Sequence, residues 1–261
     1  MACAPGRKRR RSGKLGRETC LTEEEEDAAL RGNPNKRQKS DQALAKALGK
    51  KNILRPKMPK EWLSNPRTWL SDLDIDAAMK QYADEFPSFQ YLGTMPVDFA
   101  EKTKRGACVK VCSKAPFRDV VLGKKLGATI INLDVHTGKG THWVALALDC
   151  RGATPRLMFY DSTGTKPPAR WMKKTSPYAL ILAAFKKRET RRKVAAGAVY
   201  NKAKHQRRNT ECGVFAMMFV DAMIFNRTFE SHCAKAIDDE DAFRKREAFF
   251  CKSCWNDILG R

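Results

Sequence analysis

The sequence predicts an α+β domain in which a central, mostly antiparallel sheet packs against one buried helix. Three observations point there. Short β-branched or alternating apolar runs, separated by Gly-rich turns, fill the middle of the chain. Residues 212–225, "CGVFAMMFVDAMIF", are apolar nearly all round, as in a helix enclosed by a core rather than lying on one. Amphipathic helical patterns stand on both sides of these blocks, and 261 residues suffice for a sizeable core without disulfide staples.

Taken in order, the first fifty residues hold "GRKRRRSGK", "TEEEED" and "NPNKRQKSD" with almost no aromatic or β-branched side chains. Such a stretch cannot bury enough apolar surface to offset its ordering entropy, so residues 1–50 are expected to be a disordered tail. At most a short helix forms over "DQALAKALGKK", capped by Asp41. The basic clusters from Arg7 to Arg11 and from Lys36 to Lys39 suit a nuclear-import signal, a nucleic-acid arm or a plain solvated tail. Residues 51–90 then read as a helical arm or extension, and residues 91–261 as the core. Within the arm, Trp69, Leu70, Leu73, Ile75, Ala78, Met79 and Tyr82 recur at helical spacing. A helix is predicted from about Asp74 to Glu85, with Ser71 or Asp74 as its cap.

The runs "ATIINLDV" and "THWVALALDC" are strands separated by the turn "HTGKG", and "RLMFYDS" is a third strand ended by "TGTKPP". The segment "ARWMKKTSPYALILAAFKKRETR" reads as a helix interrupted near Pro177, and "KVAAGAVYN" as a strand. Two helices close the chain, the buried one and "DDEDAFRKREAFF", whose acidic start and basic end complement the helix dipole.

Composition narrows the function. No apolar run approaches the roughly 20 residues of a membrane span. The opening residues carry arginines without an apolar stretch behind them, so no secretory signal and an intracellular residence are expected. The nine cysteines, an odd count at irregular spacing, then read as reduced thiols. Cys108 with Cys112, and Cys251 with Cys254, lack the further Cys or His of a zinc ribbon, so no metal and no cofactor are expected. A net charge of +22 favours polyanions, DNA or RNA among them.

Peptide hydrolysis by a thiol needs a thiolate, a base that returns a proton to the leaving amine, and donors for the oxyanion. Cys212 stands at the predicted N-terminus of the buried helix, where unpaired amides favour a thiolate, and Gly213 follows it. His142 opens the strand "HWVALALD", and Asp161 ends the next, where it can hold the second ring nitrogen. Gln206, six residues before Cys212, can join the Cys212 amide as an oxyanion donor. Singly these signals are weak; their order at element boundaries gives them weight. His205 reads as a solvent-exposed or substrate-contacting residue, His136 as part of a turn, and Asp149 as too far along its strand to orient His142.

The blocks "GKGTHWVALALDCRG", "FYDSTGTKPP" and "HQRRNTECGVFAMMF" resemble the signatures of the SUMO-specific and adenoviral-type cysteine proteases. The likeness runs from about Trp69 to Phe249 and is strongest to the branch that processes polyproteins in African swine fever virus and other large DNA viruses. It implies a papain-like, ubiquitin-like-protease fold with Cys212 as nucleophile, His142 as base, Asp161 as third member and Gln206 as oxyanion donor. It also implies that Trp143 borders a narrow channel for small residues before the scissile bond, although core packing explains a tryptophan there equally well. The resulting expectation is a viral thiol endopeptidase cutting structural precursors at Gly-Gly-X-like sites, in the virion and host cytoplasm with the nucleus as a further destination. The alternatives are a deconjugating protease for SUMO or a similar protein, and a nucleic-acid-binding virion protein with a vestigial site.

Overall fold

The structure, a computed structural model, describes residues 55–172, 177–185, 187, 190, 194 and 199–251. The expected tail, its short helix and Cys254 lie outside the described residues. Five strands form one sheet in the order β1-β2-β3-β4-β5: Phe89–Pro96, Leu126–Asn132, Trp143–Asp149, Arg156–Tyr160 and Val199–Tyr200. The β2–β3 and β3–β4 pairings are antiparallel, while the flanking β1–β2 and β4–β5 pairings are parallel. The parallel β1–β2 ladder pairs six residues across a register shift, against seven for β2–β3 and five for β3–β4, and β5 covers Val199–Tyr200 among the described residues of the run "KVAAGAVYN".

Both faces of the sheet are covered, which is why β2 and β3 read as nearly continuous apolar runs. The period-two alternation of a strand sends Val144, Leu146 and Leu148 to one face, together with Leu157 and Phe159 of β4. There they meet Phe117 and Val120 of helix α2 (Ala115–Leu122) and Ile181 of helix α3 (Pro177–Ala184), with Trp171 alongside. Pro177 is the first residue of α3, where its fixed φ suits a helix start. The other face of β3 presents Trp143, Ala145 and Ala147, and across this face, where the two alanines leave room, lies helix α4 (Cys212–Ile224). Eleven of the thirteen residues of α4 are buried, as its all-round apolar sequence requires. Tyr160 at the end of β4 stacks flat on Phe219 of α4 at 4.9 Å between ring centres.

Helix α1 (Asp72–Glu85) starts two residues before the predicted Asp74, because Ser71 and Asp74 form a reciprocal capping box. It packs on β1 and touches α4, and it buries Ile75, Ala78, Met79 and Tyr82. Helix α5 (Phe229–Ala234) and helix α6 (Asp239–Phe249) are the last helices among the described residues. Trp62, in a 3-10 turn over Lys60–Leu63, meets Phe250 edge-on at 5.1 Å, so the segment before α1 is anchored on the C-terminal end of the fold. No helix among the described residues is long and apolar enough to cross a membrane.

Candidate active site

Antiparallel pairing of Ala145 with Tyr160 brings the start of β3 beside the end of β4. His142 immediately precedes β3 and Asp161 immediately follows β4, so the two side chains meet: His142 Nε2 lies 2.8 Å from Asp161 Oδ1. A carboxylate only accepts, which makes Nε2 the protonated nitrogen and leaves Nδ1 for the Cys212 thiol, with which the imidazole also hydrogen-bonds. Asp161 is 1% exposed and firmly held. Its Oδ1 accepts from the Thr163 amide and hydroxyl, both at 2.8 Å, and its own amide donates to Asn201 Oδ1 at 2.8 Å. Burial pulls the His142 pKa down, but the hydrogen bonds to Asp161 and Cys212, with their charges, outweigh it and raise the value to about 9.

Cys212 is the first residue of α4, and no side chain caps that helix. The residue in the capping position, Glu211, is fully buried and turns its carboxylate away: Arg246 Nε of α6 donates to Glu211 Oε2 at 2.6 Å. The Arg246 guanidinium also donates to the carbonyls of Pro66 and Thr68, and it lies 4.3 Å from the Trp62 ring centre. This brace ties the residue before the thiol to two distant segments. It also leaves the first-turn amides of α4 uncapped, and these are the donors an oxyanion needs.

Gln206 is buried, and its side-chain oxygen accepts from Ser162 Oγ at 2.6 Å. That bond orients the amide, freeing the NH2 group to donate elsewhere. The backbone amides of His205 and Gln206 both donate to the Ser162 carbonyl at 2.8 Å, so the Gln206 loop is clamped to the Asp161 loop. Gly164 sits at the seam with φ of 77°, where an added Cβ would fall 2.8 Å from the Lys202 carbonyl oxygen.

Trp143 is only 7% exposed, and its indole nitrogen donates to the Leu70 carbonyl at 3.1 Å. A Cβ on Gly213 would lie 3.2 Å from Leu70 and 3.3 Å from Trp143, so glycine permits the helix that begins with Cys212 to approach this wall closely. Core packing and a place beside the thiol hold together for Trp143.

Two readings need correction. His205 is buried rather than solvent-exposed: the Tyr160 hydroxyl donates to its Nδ1 at 2.7 Å, and Nε2 donates to the Cys233 carbonyl at 3.2 Å. The flanking charges of "KHQRRN" point outward while His205 and Gln206 turn in, anchored by Ser162. Cys108 and Cys112 are joined as a disulfide rather than reduced, since a turning loop brings their Cα atoms to 5.8 Å. Cys251 is disulfide-bonded too, while Cys150, Cys212 and Cys233 are free. His136 binds Asp98 at 2.7 Å in its own loop, and Asp149 binds Arg151 at the far end of β3, so neither joins the site. Sequence reasoning missed Ser162, Asn201, Glu211 and Arg246, all of which position the central group.

A thiol at an open helix start, an imidazole bonded to both thiol and carboxylate, and an oriented amide nearby define a cysteine protease class on an α+β sheet. The chain belongs to the Ulp1 protease family, whose C-terminal catalytic domain matches residues 96–253. It is 28% identical over 207 residues to the "Putative thiol protease R355" of Acanthamoeba polyphaga mimivirus, covering 77% of this chain. The match spans 63% of that relative's own length. It is 30% identical over 193 residues to the "Cysteine protease S273R" of African swine fever virus, covering 69% of this chain and 67% of the relative. The crystal structure of the ASFV pS273R protease superposes with a TM-score of 0.54 at 18% identity, over 92% of this chain and 94% of that one, a likeness of fold.

Proposed function

We propose that this protein is a viral thiol endopeptidase that cuts structural polyprotein precursors at Gly-Gly-X-like sites during particle maturation. The observation that carries the reading is Cys212 at the uncapped start of α4, hydrogen-bonded to a His142 that Asp161 orients. In this reading the imidazolium–thiolate pair attacks the scissile carbonyl, and its oxygen develops charge toward the α4 amides and the Gln206 NH2. The imidazolium then protonates the leaving amine, and water, deprotonated by His142, releases the acyl group. Trp143, close against Gly213, supports a narrow channel that admits small residues before the cut.

A second reading, deconjugation of SUMO or a similar protein, is supported by relatives in African swine fever virus named "SUMO-1 cysteine protease S273R". Virion and host cytoplasm, with the nucleus as a further site, are the proposed locations. The +22 charge supports attachment to DNA or RNA. Digestion of a peptide library by the wild-type protein and Cys212→Ala side by side tests the activity and its preference together. Cuts after paired small residues that Cys212→Ala fails to make are expected. Cleavage by Cys212→Ala equal to wild type sinks the assignment, and rapid release of SUMO conjugates without cuts in Gly-Gly-X precursors replaces the first reading by the second.

A further inference from the structure

At the opposite end of the fold from Cys212, a recess of about 470 Å³ opens between α2, α3 and the β3–β4 turn. Its size falls within the roughly 300–1,000 Å³ of small-molecule sites. Val121, Leu122, Ala184 and Phe185 contribute apolar lining, and Leu122 is 61% exposed there. Around them stand Arg118, Lys124, Arg151 and Lys187, with no acidic side chain among the described lining residues. Arg151 is committed: it pairs with Asp149 and donates to the Met223 carbonyl at 2.8 Å. Arg118, Lys124 and Lys187 have no carboxylate partner among the described residues. Three cations lining one apolar recess, without a carboxylate partner among the described residues, raise its potential and concentrate anions there.

Lys124 sits at the rim with φ of 49°, the left-handed position that ends α2: its amide donates to the Val121 carbonyl at 3.3 Å and the Lys125 amide to the Val120 carbonyl at 3.0 Å. The sequence also continues the charge, since Lys187 belongs to the basic run from Lys186 to Lys193 that the protease reading does not use.

We propose that this recess binds a small organic polyphosphate of the nucleoside-triphosphate class. Arg118, Lys124 and Lys187 receive the phosphates as charge-assisted donors, and the ring lies on Leu122 and Phe185. A concave, mixed apolar and cationic site favours such a molecule over a nucleic-acid backbone, which offers only the anionic half. The location gives the site a route to the chemistry. Arg151 bridges the far end of β3 to the last turn of α4, and those two elements begin with His142's neighbour Trp143 and with Cys212. The span along β3 is roughly 23 Å at about 3.3 Å per residue.

Calorimetric titration of the full chain at physiological salt with ATP, sodium tripolyphosphate and adenosine tests it. ATP is expected to bind, tripolyphosphate to compete with it, and adenosine alone to show at least tenfold weaker binding than ATP. The triple variant Arg118→Gln/Lys124→Gln/Lys187→Gln, all at exposed positions, is expected to lose affinity for ATP at least tenfold. Lys124→Gly, which suits the left-handed backbone, should weaken binding severalfold while leaving the melting temperature unchanged or higher. Equal ATP affinity in wild type and triple variant overturns the proposal. So does a site that binds a duplex oligonucleotide through these three residues and ignores ATP.

Discussion

Helices α6 and α4 begin in opposite ways. Asp238 caps α6, accepting from the amides of Glu240 and Asp241, while the Asp241 carboxylate returns the favour to the Asp238 amide. Helix α1 carries the same box with Ser71 and Asp74, and Thr228 caps α5. Helix α4 carries none, although a carboxylate stands in the right place, because Arg246 draws Glu211 aside. Capped starts are finished structure, with their donors satisfied by the chain itself. In the proposed function, the open start of α4 keeps its donors for an anion that arrives only during reaction, and the brace on Glu211 holds it open.

The sharpest way to break that contrast is at the thiol. Cys212→Ala is expected to abolish peptide cleavage, and His142→Ala to reduce kcat/KM on the order of 10²–10⁴-fold, measured with a peptide substrate. Next comes the brace. Glu211→Gln leaves the buried Arg246 guanidinium without its carboxylate, and Arg246→Met leaves Glu211 only the longer 3.6 Å ion pair to Arg67; each is expected to cost about 3–5 kcal/mol in denaturant unfolding. The double variant Glu211→Gln/Arg246→Met should recover much of that stability but not the cleavage rate, because nothing then holds the side-chain carboxamide oxygen at position 211 away from the α4 amides. Recovery of both would mean that the brace serves folding alone.

Histidines sharpen the contrast through pH. His142, with a carboxylate and a thiol as partners, is raised to about 9, so its protonated form adds stability that is complete below pH 6.5 and is lost as pH rises through about 9. Cleavage should fall on the alkaline side near the same value, and Asp161→Asn should move that limb downward. His232 lies 2% exposed among Tyr160, Phe219 and His205, and neither ring nitrogen has a hydrogen-bond partner among the described residues. Burial first, then the charges of His205, Arg227 and Lys235, push it down to about 3. Its neutral form therefore supports the fold fully above pH 6.5, and that support is lost as pH falls toward 3. By pH 4.5 the loss is on the order of 3 kcal/mol at about 1.4 kcal/mol per pH unit. His232→Phe should flatten the acid side of the stability curve while the alkaline limb of cleavage stays in place. The smallest effect belongs to the capped helix: Asp238→Ala is expected to cost about 1 kcal/mol and to leave kcat/KM unchanged.

Much of this was legible in the sequence because its signals are local. The antiparallel centre showed as alternating or continuous apolar runs between turn residues, and α4 as an apolar block too long for a strand. His142, Asp161, Gln206 and Cys212 each stand where a pattern breaks, which is where side chains from different elements can converge. Strand β1 was missed because Gly93 interrupts its register and Pro96 ends it, masking the alternation in "FQYLGTMP". Helices α2 and α5, of eight and six residues, are too short to show a period. The Arg246–Glu211 pair joins residues 35 positions apart, and the Ser162–Gln206 bond spans 44. No spacing rule reaches such pairs; only the fold brings them together. His205 was misread because four neighbouring charges suggested an exposed loop, whereas the Ser162 carbonyl folds that loop inward.

The three cysteines that are free among the described residues offer the most direct measurement. Burial raises Cys150 and Cys233 to about 12, whereas the Cys212 thiol hydrogen-bonds to His142. Native protein treated with iodoacetamide at pH 7 and read by peptide mass spectrometry should label Cys212 at least 100-fold faster than either, and His142→Ala should erase most of that advantage. Labelling of Cys212 no faster than Cys150 and Cys233, or equally fast without His142, would contradict an activated thiol at the open end of α4.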